Sequence, residues 1–105
     1  MYRKWENYGK KKNNLAMRTV QLIIKGKVQG VYYRAGAKDV AKEIGVTGWV
    51  KNRPDGSVEA LVSGSEEKVA KFIEWCRKGP RNAEVNEVVI NDSKEKPLTE
   101  FRIIK

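Results

Sequence analysis

Apolar and polar positions alternate through Val20, Leu22 and Ile24, with Ile23 adding apolar surface on the other side, and a period of two predicts a half-buried strand. The pattern breaks at Gly26-Lys27-Val28-Gln29-Gly30 and resumes with a helical period, in which Tyr33, Ala37, Val40, Ala41 and Ile44 fall along one stripe. Gly45 supplies its stop. Residues 46–52 and 57–63 read as two further strands, the second with Val58, Ala60 and Val62 on one face. Between them Arg53-Pro54-Asp55-Gly56 joins a preset proline angle to a glycine that accepts positive φ, which makes a hairpin turn. Ser65, followed by Glu66 and Glu67, opens a second helix whose apolar stripe is Val69, Phe72, Ile73 and Cys76, and Gly79-Pro80 ends it. Residues 85–90 form a fourth strand and residues 92–97 a polar connection. Thr99, Phe101 and Ile103 alternate in a short terminal strand, with Ile104 beside them.

The order is strand, helix, strand, strand, helix, strand, with one extra strand at the end. Two helices with one apolar stripe each must cover one face of a mostly antiparallel sheet, because nothing else offers them enough apolar surface. The expected fold is therefore α+β, a ferredoxin-like α/β sandwich of βαββαβ order. A chain of 105 residues holds one such core. Residues 1–16 carry Arg3, Lys4, Lys10, Lys11 and Lys12 against Glu6, without apolar periodicity, and read as a basic extension ahead of a domain over 17–105. Trp5 and Tyr8 within it could stack on bases, but a solvated tail is the plainer reading.

Charge and composition narrow the chemistry. The formal charge of +9 points to an anionic partner, whether a small phosphate compound, a nucleic acid or an acidic surface. The chain has no histidine, which removes serine triads, cysteine–histidine pairs, HExxH zinc sites and imidazole bases together. A single cysteine, Cys76, excludes an internal disulfide and a cysteine-rich metal site. No run of 18 apolar residues occurs, and Met1-Tyr2-Arg3-Lys4-Trp5 lacks the apolar region of a signal peptide, so the expected setting is the cytoplasm and not a membrane.

The loop Gly26-Lys27-Val28-Gln29-Gly30-Val31-Tyr32-Tyr33-Arg34 runs from a strand into a helix start, where backbone N–H groups lack partners and the local potential is positive. Arg34 stands where a bound phosphate could receive a bidentate grip. Glycines in such a turn also occur simply to relieve strain. Asn52, before the hairpin, could orient a water molecule without titrating, or could be only a turn residue. Cys76 sits on an apolar stripe, and a covalent phosphatase would need arginine at position 82, which is Asn82. A core role fits it better. Gly26-Lys27 makes no Walker A loop, since Val28 stands where Ser or Thr is required. Tyr32, Tyr33 and Trp49 could stack on bases, but packing between strand and helix is the simpler expectation.

GKVQGVYYR at positions 26–34, GWVKN at 48–52 and PDGSVEALVSG at 54–64 together resemble the acylphosphatase family. Its two signatures, G-x-V-Q-G-V-x-[FY]-R and G-[FYW]-[AVC]-[KRQAM]-N followed by G-x-V and a later glycine, are met at every defined position, with Gly56, Val58 and Gly64 as the last of these. The likeness covers residues 17–105. It implies a hydrolase of the carboxyl–phosphate bond in acyl phosphates, with no cofactor and no metal, a small acyl phosphate as substrate and inorganic phosphate as product. Carried over by position, Arg34 and the backbone N–H groups of Gln29, Gly30, Val31, Tyr32, Tyr33 and Arg34 would bind the phosphoryl group, and Asn52 would hold the attacking water. A monomer is expected.

The competing reading is a basic RNA-binding module on the same fold, since fold alone does not assign function. No RNP1-like string occurs, and nucleic acid remains a partner only for the basic tail. A third reading, as one domain of a larger maturation enzyme, fits a chain of this length poorly.

Overall fold

The computed structural model describes residues 16–105, so all but the last residue of the basic extension expected over 1–16 lies outside the described residues. The elements are β1 (Met17–Lys27), α1 (Tyr33–Ile44), β2 (Thr47–Asn52), β3 (Val58–Ser65), α2 (Glu66–Lys78), β4 (Glu84–Asp92) and β5 (Phe101–Ile104). The strands form one sheet in the order β4-β1-β3-β2-β5. Three of its pairings are antiparallel, and β5 runs parallel to β2. This is the expected ferredoxin-like sandwich with an added edge strand.

One core joins the layers. Val20, Leu22 and Ile24 of β1, Val58, Ala60 and Val62 of β3 and Val50 of β2 are buried against both helices. Tyr33, Ala37 and Ala41 contribute from α1, and Val69, Phe72, Ile73 and Cys76 from α2. The expected stripes are the ones that pack, with Val40 and Ile44 at the margin of the core. Phe72 meets Phe101 at 5.5 Å between ring centroids, which docks β5 onto the second helix.

Two local expectations change, and one burial had no expectation attached to it. Gly26 was read as the first residue of the loop, yet it still pairs with Val85, at a register shift after Lys25. Its φ of 130° and the Glu84 carbonyl, into which a Cβ would run, explain the glycine: β1 and β4 approach too closely there for a side chain. Leu61 is also buried, although it faces away from the helices, in a niche shared with Trp49, Gln21 and Glu59. Thr99 lies outside the terminal strand and is exposed.

Register fixes where the loops meet. Val58 pairs with Ile24 on one side and with Asn52 on the other, so β1 and β2 both run out at the same end of the sheet. Because β5 runs parallel to β2, with Ile104 opposite Lys51, its last residues finish there too. Three chain segments distant in sequence therefore end within reach of one another.

Candidate active site

The β1–α1 loop is held by alternate side chains. Val28 and Val31 are buried in the core, whereas Gly30 and Tyr32 face solvent. Burying those two valines pins the backbone and leaves its polar groups outside. Gly30 has φ 74° and Tyr32 φ 63°, so the chain turns through two left-handed residues on its way into the helix. The Gly36 N–H donates to the Tyr32 carbonyl as the first helical bond. Among the described residues, none of the turn and cap bonds uses a backbone N–H of residues 29–34 as donor. The start of α1 also lacks a side-chain cap and any acidic residue in its first turn. Successive N–H groups in this arrangement form a concavity suited to an anion.

Arg34 lies in the first turn of that helix, half-buried, and its Nη1 donates to the Ile104 carbonyl at 3.4 Å. The guanidinium has five N–H donors in a planar fork, so this brace from β5 orients it and leaves donors for a ligand. Asn52 ends β2 and is half-buried. Its hairpin is closed by Arg53 N–H to the Ser57 carbonyl at 2.9 Å and Gly56 N–H to the Arg53 carbonyl at 3.1 Å. The Asp55 carboxylate accepts from both Ser57 N–H, at 3.0 Å, and Ser57 Oγ, at 2.6 Å. Those bonds hold the carboxyl below the usual carboxylate range.

Gln29 ties the two halves together. Its Nε2 donates to the Arg53 carbonyl and to the Ser57 carbonyl, each at 2.8 Å, so one side-chain amide spans the mouth of the hairpin. Both amide hydrogens are used, which fixes the loop relative to Asn52.

The result is a pocket of about 480 Å³ lined by Val28, Gly30, Tyr32, Tyr33, Arg34, Ala35, Asn52, Ile103 and Lys105. It brings together Arg34 and Asn52, with Gly30, Tyr32 and Tyr33 of the expected loop. Gln29 and Val31 do not line it: the one faces the hairpin and the other the core. Any part they take in anion binding is through the backbone. Ile103 and Lys105 belong to the wall although sequence reasoning assigned them no site role. Their signal was the terminal strand itself, but its parallel pairing with β2 is not readable from alternation.

The aromatic residues separate. Tyr33 packs as expected, its ring 5.2 Å from that of Trp75 and its hydroxyl donating to the Cys76 carbonyl at 2.7 Å. Burial pushes its phenol well above the ordinary range. Tyr32 does not pack but is 83% exposed at the pocket rim. Trp49 lies on the opposite face of the sheet from the helices, beneath Lys51 Nζ at 5.2 Å from its ring. Burial also pushes the Cys76 thiol up to about 12, so it stays protonated near neutrality and is no nucleophile. Among the described residues no group of three or more histidine, cysteine or acidic side chains is placed to hold a metal ion. No helix among them is long and apolar enough to cross a membrane.

Element order, sheet and helix layer define a ferredoxin-like α/β sandwich, with its pocket at the end of the sheet where the signature residues meet. The acylphosphatase family model matches residues 20–103. An acylphosphatase of Bordetella parapertussis is 52% identical over 79 residues, covering 75% of this chain and 84% of the relative. That of Thiobacillus denitrificans is 47% identical over 77 residues, covering 73% and 86%. The solved acylphosphatase of Coxiella burnetii superposes with a TM-score of 0.81 at 31% identity, covering 89% of this chain and 96% of its own. The chain belongs to the acylphosphatase family.

Proposed function

We propose that this chain hydrolyses acyl phosphates, with Arg34 and the loop N–H groups binding the phosphoryl group and Asn52 positioning the water. The observation that carries the assignment is the convergence of Arg34, Asn52 and a left-handed loop on one pocket. Asn52 offers a carbonyl oxygen that accepts a water proton and so aims the oxygen lone pair at phosphorus. The water oxygen forms a bond to phosphorus as the bond from phosphorus to the acyl oxygen breaks. The electron pair of that bond leaves with the carboxylate, and the water proton passes to a phosphoryl oxygen, giving dihydrogen phosphate.

This chemistry suits a site without histidine. A carboxylate whose conjugate acid has a pKa near about 4 leaves without protonation. What remains is to place the reactants and to stabilise charge on the equatorial oxygens, which fixed N–H dipoles and a guanidinium do. Near-attack positioning alone contributes about 7–11 kcal/mol in favourable cases. Arg34, Asn52 and the loop converge within a single chain, so the proposed reaction calls on no residue of a partner. A free, buried thiol is compatible with a cytoplasmic setting.

Following loss of the mixed anhydride of benzoyl phosphate, with chelator present, tests the reading. The expected result is turnover that inorganic phosphate inhibits competitively. Asn52→Ala should lower kcat by about 100-fold, as for loss of one preorganised group, while the phosphate inhibition constant changes little. No hydrolysis by the wild type, together with salt-sensitive RNA binding, would overturn it.

A further inference from the structure

The geometry points to Tyr32 as the residue that selects the acyl half of the substrate, its ring packing on aryl or extended apolar acyl groups; this rests on the acyl-phosphate reading above. Tyr32 is the one non-glycine residue at positive φ among the described residues. A bulky aromatic residue is a poor occupant of that conformation, which glycine or asparagine adopts at lower cost. The residue is also 83% exposed, and its hydroxyl makes no hydrogen bond among the described residues. Stability therefore favours neither the residue nor its placement. The neighbouring Tyr33 shows the contrast, with its ring buried and its hydroxyl bonded to Cys76.

Position explains what stability does not. Tyr32 lines the same pocket as Arg34 and Asn52, and Val28 and Ile103 add apolar wall to it. With the phosphoryl group on the loop and water held by Asn52, in-line displacement directs the acyl group away from Asn52. Of the residues lining the pocket, Tyr32 is the large exposed apolar side chain open to that group. Stacking between an aryl acyl group and this ring adds attraction that a methyl group does not receive.

The experiment compares kcat/KM for benzoyl phosphate and acetyl phosphate in the wild type, Tyr32→Phe and Tyr32→Asn. Both substrates carry the same phosphoryl group, so damage to the loop lowers both and cancels in the ratio. Asparagine is chosen because it tolerates the left-handed backbone. The benzoyl-to-acetyl ratio is expected to fall about threefold to tenfold in Tyr32→Asn, the range of an aromatic pair, and to be kept in Tyr32→Phe. An unchanged ratio in Tyr32→Asn would overturn the role of Tyr32 and leave the hydrolase reading intact. A wild type that hydrolyses neither substrate would overturn both.

Discussion

Helix α2 begins at Ser65, whose hydroxyl accepts from the Lys68 N–H, and places Glu66 and Glu67 in its first turn. Helix α1 begins at Tyr32 in a left-handed conformation, with no side-chain cap, no acidic residue and Arg34 in its first turn. Each feature of α2 favours the helix: a cap contributes about 1 kcal/mol and each charge opposing the dipole about 0.3–1 kcal/mol. Every corresponding feature of α1 works against it. The left-handed residue costs about 1–2 kcal/mol, and a cation beside the positive end of the dipole adds repulsion. In the proposed mechanism the phosphoryl group of the substrate supplies the missing negative charge. In that proposal the two starts separate a helix end built for stability from one that receives an anion.

The largest effect comes from taking away the planar fork. Arg34→Lys keeps the charge but not the bidentate geometry or the brace to the Ile104 carbonyl. Its kcat/KM for benzoyl phosphate should fall by about 100- to 1,000-fold. Inorganic phosphate should raise the Tm of the wild type, by the equivalent of about 2.7 kcal/mol at a hundred times its Kd, and that of the variant much less. Near-normal turnover in Arg34→Lys would remove the arginine from the mechanism and leave the contrast between the helices without a functional cause.

Next in size is the tie between loop and hairpin. Gln29→Ala leaves the Arg53 and Ser57 carbonyls without their side-chain donor. The Ser57 carbonyl still accepts from the Arg53 N–H, so the hairpin should persist while its position relative to the loop relaxes. A stability loss of about 1–3 kcal/mol is expected from the two lost hydrogen bonds, at about 0.5–1.5 kcal/mol each, since both carbonyls keep a backbone donor. Turnover should fall about tenfold, since small misplacements near a reacting centre reduce rates disproportionately. Urea unfolding and steady-state rates on the same variant check both numbers. A stability loss with unchanged kcat would make Gln29 a structural residue alone.

Gln29 also marks where sequence reasoning stops. The strands and helices are legible because their signals are local: Val20, Leu22 and Ile24 alternate, Tyr33, Ala37 and Ala41 follow a turn, and Ser65 precedes two glutamates. Arg34 and Asn52 are legible because their motifs carry them. The partners of Gln29, the brace from Ile104 to Arg34 and the pocket wall from Ile103 depend on which strands become neighbours, and alternation along one strand is silent about that. Tyr32 and Trp49 were expected to pack because aromatic residues usually do, but their surroundings are decided by backbone conformation and strand face. Gly26 misled for a similar reason, since only its pairing with β4 shows that it belongs to a bulge.

Ser65→Ala probes the other helix start. It removes the acceptor for the Lys68 N–H, far in sequence from Arg34 and Asn52. Stability should drop by about 1 kcal/mol, with Tm lower by about 4–8 °C. kcat/KM at 25 °C should stay at the wild-type value, because none of the pocket residues changes. A loss of activity without a loss of stability would break the proposed division between the two helix ends.

The smallest effect separates the pocket's hairpin from the α2 start by titration. The Ser65 hydroxyl does not ionise near neutral or acid pH, whereas the Asp55 carboxylate holds the hairpin through Ser57 and has its pKa lowered from 3.8. A depressed carboxyl pKa contributes stability that is fully present above the unfolded value and is lost as pH falls through the folded one. Asp55→Ala should therefore melt below the wild type at pH 6, with the gap narrowing from about pH 4 downwards as the wild-type carboxylate protonates. The deficit of Ser65→Ala should show no such narrowing. Melting curves of the three proteins at pH 6, 4 and 3 provide the comparison. A gap for Asp55→Ala that stays constant across this range would mean that the Asp55–Ser57 contacts hold the hairpin equally well with the carboxyl protonated, and that acid does not loosen the Asn52 side of the pocket.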